Sequence, residues 1–121
     1  MPERYDEGMA VRRDVLGDAH VDKAIAATDS FTGDFQDLIT RYAWAEVWAR
    51  PGLDRKTRSC ITLAMLATMR ADDELALHVR AALRNGLTPE EIKEVLLQVA
   101  VYAGVPAANS AFAVASRVLH G

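Results

Sequence analysis

The chain has 121 residues with 17 acidic and 14 basic side chains, and half of it is hydrophobic; this excludes a disordered protein and disfavours one that coats a polyanion. Its one cysteine, Cys60, excludes an internal disulfide framework, a CxxC redox pair and a cysteine-built zinc site. No basic, apolar leader opens the sequence, and its apolar runs fall short of the ~18 residues of a membrane span, the pattern of a soluble, cytoplasmic protein.

No stretch alternates apolar and polar residues long enough for a strand, and the chain reads as helices throughout. Residues 1–30 form a polar helical arm. Met9, Val11, Val15 and Leu16 lead to a break at Gly17-Asp18, and Val21, Ala24 and Ile25 follow it. Residues 31–121 form the main helical domain. There Phe35, Leu38, Ile39 and Tyr42 set an inward stripe from Asp34 to Trp48, which Glu46 interrupts with a carboxylate. Arg50-Pro51-Gly52 ends that helix. The next runs from a cap at Asp54 to about Met69 and is apolar nearly all round, so it is expected to be buried on every side, in a core or at a subunit interface. Asp72-Asp73-Glu74 opens a further helix that stops at Asn85-Gly86. Thr88-Pro89-Glu90-Glu91 is a capping box for the helix through Ile92, Leu96 and Val99, which also carries Leu97 and Val101 off its main stripe and is expected to be covered on more than one side. Gly104-Val105-Pro106 breaks it, and Ala107 to Leu119 is a last, small-residue helix. The expectation is one all-α bundle of six to seven helices, and its apolar surplus points to a homo-oligomer.

Several segments together resemble the carboxymuconolactone decarboxylase family. They are Tyr42 to Leu53 (YAWAEVWARPGL), Arg58-Ser59, Glu74 to Ala82 (ELALHVRAA), Asn85 to Ile92 (NGLTPEEI) and Gln98 to Asn109 (QVAVYAGVPAAN). The resemblance covers roughly residues 30 to 115. It implies an alkyl hydroperoxidase D-like helical fold, assembly as a trimer or hexamer, and cofactor-free loss of CO2 from 4-carboxymuconolactone. The product would be 3-oxoadipate enol-lactone, in the protocatechuate branch of aromatic breakdown. The peroxidases of the same superfamily place a CxxC pair ahead of the shared histidine. Counting back from His78, those two positions hold Ala71 and Glu74, so thiol peroxidase chemistry is disfavoured.

Decarboxylation of such a lactone needs no borrowed electron sink, because the electrons left on the ring carbon flow through the ring double bond into the lactone carbonyl. No cofactor or metal is then required. The protein must hold carboxylates, stabilise charge on the lactone oxygen and deliver a proton. Imidazole titrates near neutrality, so His78 is the first candidate for proton donor or carbonyl polariser; a histidine on an apolar helix face is often just a hydrogen-bonded core residue, and the match to the family's histidine favours the functional role. Glu46 is the second candidate, with an ion pair to an arginine such as Arg50 or Arg58 as its structural alternative. Glu74, one turn before His78, can orient it or merely charge a helix start. Arg58, Arg50 and Arg80 are candidates to clamp substrate carboxylates. Tyr102 and Asn109 flank the Gly-Val-Pro break and can bond a ring oxygen or simply cap and pack the break. Trp44 and Trp48, four apart, form a wall. The alternatives are a related enzyme acting on another lactone or acid, a peroxidase-type reduction, and a non-catalytic helical assembly module.

Overall fold

The computed structural model describes residues 2–121. They form seven helices: α1 Pro2–Leu16, α2 Asp18–Ala27, α3 Gly33–Ile39, α4 Arg55–Met69, α5 Asp72–Arg84, α6 Pro89–Ala103 and α7 Val105–His120. No strand occurs among the described residues. α3 continues into a π-helical segment, Thr40–Trp48. Contacts divide the chain into two compact units, one ending at Asp54 and the other running Arg55–Gly121.

In the first unit α1 lies along the π segment. The approach is close at Gly8, where a Cβ would stand 2.1 Å from the backbone oxygen of Thr40. One turn on, Arg12 is buried, with Nη1 donating to Thr40 Oγ1 at 3.3 Å and Nη2 to Gln36 Oε1 at 3.0 Å. Burial pulls the Arg12 guanidinium below its ordinary pKa. Val15 and Val21 complete the buried side across the Gly17 break. These contacts tie residues 2–30 to the helical segment after them within the first unit.

The expected α-helix over Asp34–Trp48 is corrected in two ways. Its second half is widened, with Ala49 N–H donating to the Trp44 carbonyl five residues back. The widening starts at Thr40, whose hydroxyl also bonds the Gln36 carbonyl at 2.7 Å, a side-chain bond that bends helices. In addition, α1 takes the face of Gln36, Thr40, Trp44 and Ala45, leaving the expected inward stripe outside: Phe35, Leu38 and Tyr42 are all more than half exposed.

The second unit is a four-helix arrangement around Leu63, Leu75, Val79, Ile92, Leu96, Val99 and the alanines of α7. α4 turns into α5 in two residues, with Arg70 at φ +57. α5 ends at Asn85 and Gly86, whose φ of +99 lets Leu87 N–H return to the Ala82 carbonyl. The capping box of α6 forms as expected: Thr88 Oγ1 accepts from Glu91 N–H at 3.1 Å, and Glu91 Oε1 accepts from Thr88 N–H at 2.9 Å. The second Glu91 oxygen pairs with Lys56 at 2.9 Å.

The covering expected for α4 and α6, in a core or at a subunit interface, is only partly supplied within the single chain. α4 buries Ser59, Leu63 and Ala67 but exposes Ile61, Met65 and Met69; α6 exposes Leu97 and Val101. Four short helices give each one only part of a covering, and the off-stripe faces stay open in the single chain.

Gly8→Ala is expected to lower stability by about 1–3 kcal/mol, because the new methyl must push a whole helix away from backbone; urea unfolding checks it. A second test concerns pH. The Lys56 ammonium, and then the Thr88 N–H, hold the Glu91 carboxyl below its usual pKa. A depressed carboxyl contributes stability above its unfolded value near 4.3 and loses it as pH falls through the folded value. The difference in urea midpoint between the wild type and Glu91→Gln should therefore be open at pH 7 and close towards pH 3.

Candidate active site

α4 and α5 form an antiparallel hairpin, and a hydrogen bond between side chains ties the two along one seam. Asn85, at the end of α5, donates from Nδ2 to Oγ of Ser59 at 3.0 Å. Ser59 is fully buried, so this tie satisfies a hydroxyl that would otherwise be costly. His78 is seven residues before Asn85 and shares its helix face, which places the imidazole on the same seam two turns away, roughly 10 Å along the axis. Leu75, Val79 and Ala82 beside it are core residues, and His78 itself is half-buried. Its Nδ1 is shielded from water and takes no hydrogen bond from the described residues, although the residue does engage neighbours.

Across the seam, Arg58 precedes Ser59 on α4 and is half-buried, with its Nε shielded. Thr62, one turn on, spends its hydroxyl on the Arg58 carbonyl at 2.8 Å. The hairpin thus carries a cation near the start of α4 and an imidazole midway along α5. Such a pair can hold an acid group at one end of a small molecule and exchange a proton at the other.

The other sequence candidates fall elsewhere. Glu74 shares the His78 side of α5 but is exposed, and its side chain makes no hydrogen bond or ion pair among the described residues; it stands with Asp72 and Asp73 as first-turn charge. Arg80 is exposed and leaves the helix on the side away from His78, since residues two apart do not face each other. Tyr102 is 83% exposed and borders a shallow hollow with Ala64, Thr68 and Gln98. Asn109 is exposed on α7, whose buried residues are Ala107, Ala108, Ala111, Val114 and Ala115.

Glu46 and Arg50 belong to the first unit and share one hollow of about 280 Å³ with Arg4, Glu7 and Pro51. The expected buried carboxylate is corrected: Glu46 is about half exposed and forms an ion pair with Arg4 of α1. Neither Arg50 nor Arg58 is the partner in this pair. Nothing local in the sequence announces Arg4, because the contact spans 42 residues. The Ser59–Asn85 tie was missed for the same reason. Trp44 and Trp48 do stand together, ring centroids 5.3 Å apart, with Trp44 buried within its own unit. Among the described residues no three His, Cys, Asp or Glu side chains cluster as metal ligands, and no helix is long and apolar enough to cross a membrane.

Comparison with known proteins adds the chemical context. The profile of the carboxymuconolactone decarboxylase family matches residues 33–117. A 4-carboxymuconolactone decarboxylase of Acinetobacter baylyi is 47% identical over 116 residues, covering 96% of this chain and 87% of that protein. A nitrosuccinic acid decarboxylase of Metarhizium robertsii is 46% identical over 116 residues, covering 96% of this chain and 81% of its own. A 4-carboxymuconolactone decarboxylase sequence of Pseudomonas putida is 58% identical over 41 residues, which is 34% of this chain and 85% of that one.

Proposed function

The chain belongs to the carboxymuconolactone decarboxylase family, and from that premise we propose that it is a carboxy-lyase converting 4-carboxymuconolactone to 3-oxoadipate enol-lactone. The observation that carries this reading is the 47% identity, across nearly the whole chain, to a relative named for that reaction.

The reaction breaks the bond between the ring carbon and its carboxylate. CO2 leaves, and the electron pair moves through the ring double bond onto the lactone carbonyl, giving a dienolate that takes a proton on carbon. In this proposal the half-buried Arg58 binds a substrate carboxylate through its guanidinium fork. His78, two turns along the seam, polarises the lactone oxygen or supplies the proton. Glu46 stays outside the proton path, since its pairing with Arg4 favours a structural role. No step requires a metal or an organic cofactor, because the substrate is its own electron sink.

The oligomer expectation carries over as part of the proposal. Ile61, Met65 and Met69 on α4, and Phe35, Leu38 and Tyr42 in the first unit, are apolar surface that further copies of the chain would cover in a trimer or hexamer. A cytoplasmic location accords with this small-molecule chemistry.

A second substrate reading rests on the nitrosuccinic acid decarboxylase relative at 46% identity. Nitrosuccinic acid is also a small diacid, and loss of the carboxylate beside its nitro group leaves electrons shared with the nitro oxygens. Both substrates thus present a leaving carboxylate, a developing oxyanion and a second acid to hold.

Purified protein given 4-carboxymuconolactone is expected to release CO2 at a rate unaffected by chelator; release from nitrosuccinic acid alone would shift the assignment to the second substrate. His78→Ala should keep the melting temperature within a few degrees yet cut kcat about a hundredfold, with His78→Gln as the control if the alanine variant does not fold. Full activity in either variant removes His78 from the mechanism. Arg58→Ala should raise KM about tenfold, more than it lowers kcat, as for a contact made equally in ground and transition states. An unchanged KM removes the clamp.

A further inference from the structure

The inner stripe of α4 is apolar except at Ser59, which stands with Leu63 and Ala67 and is 1% exposed. Its hydroxyl accepts from Nδ2 of Asn85 at 3.0 Å. Packing alone calls for no hydroxyl here: a methyl fills nearly the same volume, and a buried hydroxyl is costly unless its partner stands within reach. What the pair adds over an apolar match is direction. Apolar contact is non-directional, whereas this bond forms at one axial offset of α4 against α5 and is lost at others. The Asn85 end is anchored too. Its N–H returns to the Ala81 and Ala82 carbonyls at the close of α5, and Gly86, at φ +99, sends Leu87 N–H back to the Ala82 carbonyl.

Ser59 follows Arg58 in the chain, and Asn85 lies two turns beyond His78 on one face of α5. Resting on the roles proposed above for Arg58 and His78, we propose that Ser59 and Asn85 are a positioning pair for the decarboxylation. They set the offset of α4 against α5, and with it the placement of Arg58 relative to His78. Neither touches substrate; both act through the helices that carry those two residues. A slip of one residue along a helix is about 1.5 Å, and a misplacement of about 1 Å costs roughly a hundredfold in rate when catalysis is mostly positioning. The loss falls on kcat. A long arginine side chain follows a shifted carboxylate, so KM changes little, whereas the proton must reach one carbon from one distance.

The test measures melting temperature, kcat and KM for CO2 release in the full-length wild type, Ser59→Ala, Ser59→Thr and the double variant Ser59→Ala with Asn85→Leu. Ser59→Ala leaves the amide unpaired and should lower both melting temperature and kcat. The double variant puts an apolar pair in place of the polar one. It should recover a melting temperature within a few degrees of wild type, while kcat stays about tenfold to a hundredfold down and KM moves less than about threefold. Ser59→Thr keeps the hydroxyl and should hold kcat within about threefold of wild type. If the double variant does not fold, Ser59→Ala, a one-atom change, decides the matter when assayed well below its own melting temperature. A kcat that returns with the melting temperature in the double variant, or a folded Ser59→Ala with wild-type kcat, makes the pair purely structural and overturns the proposal. A wild type that releases no CO2 from either acid removes the decarboxylase reading and the positioning role together; an active wild type with fully active variants removes the positioning role alone.

Discussion

The constraint behind much of this molecule is that α4 is apolar on more faces than its own unit can cover. Its inner stripe, Ser59, Leu63 and Ala67, packs against α5, α6 and α7, and one flank is tied to α5 through Ser59 and Asn85. The outer face of Ile61, Met65 and Met69 is left open. Small helical units have too much surface for their volume, so such a face must meet another partner or water. Two features follow on this helix: a flank held rigidly to α5 by a buried hydrogen bond, and an apolar outer face left open.

That rigidity matters because the proposed chemistry asks so little else of the protein. The substrate carries its own electron sink, so catalysis reduces to holding an acid group, steadying an oxyanion and placing one proton. Those tasks are sensitive to position more than to exotic reactivity. A buried hydroxyl–amide tie between two antiparallel helices controls position well, since shifting the register would leave Ser59 without its partner. The same three tasks suit any small diacid whose leaving carboxylate neighbours an oxygen-bearing acceptor, which accords with two relatives of nearly equal identity being named for different acids.

The two units, each taken by itself, show where pattern reading succeeds and where it fails. Gly17, Asn85-Gly86 and Gly104 mark chain breaks where the sequence placed them, and the capping box at Thr88 closes as its spacing requires. These are local signals, decided within four or five residues. The stripe of Phe35, Leu38 and Tyr42 carries the same kind of periodicity and yet lies outside. Gly8 lets α1 come so close to Thr40 that the neighbouring face of Gln36, Thr40, Trp44 and Ala45 becomes the inner one. Glu46 then emerges beside Arg4 at the surface, where a helical wheel had put it among apolar side chains.

By itself the amino-acid sequence determined the helical class, the positions of the breaks, the candidate His78 and Arg58, and the segments by which the family is known. Each of these is encoded in residue identity or in spacing over a few turns. Tertiary structure alone decided which apolar stripe faces inward, that the helix after Ile39 widens, that Glu46 pairs with Arg4 and that Ser59 meets Asn85. The two side-chain pairings join residues 42 and 26 positions apart, and such meetings are set by how whole helices dock, a choice that no local window of sequence contains.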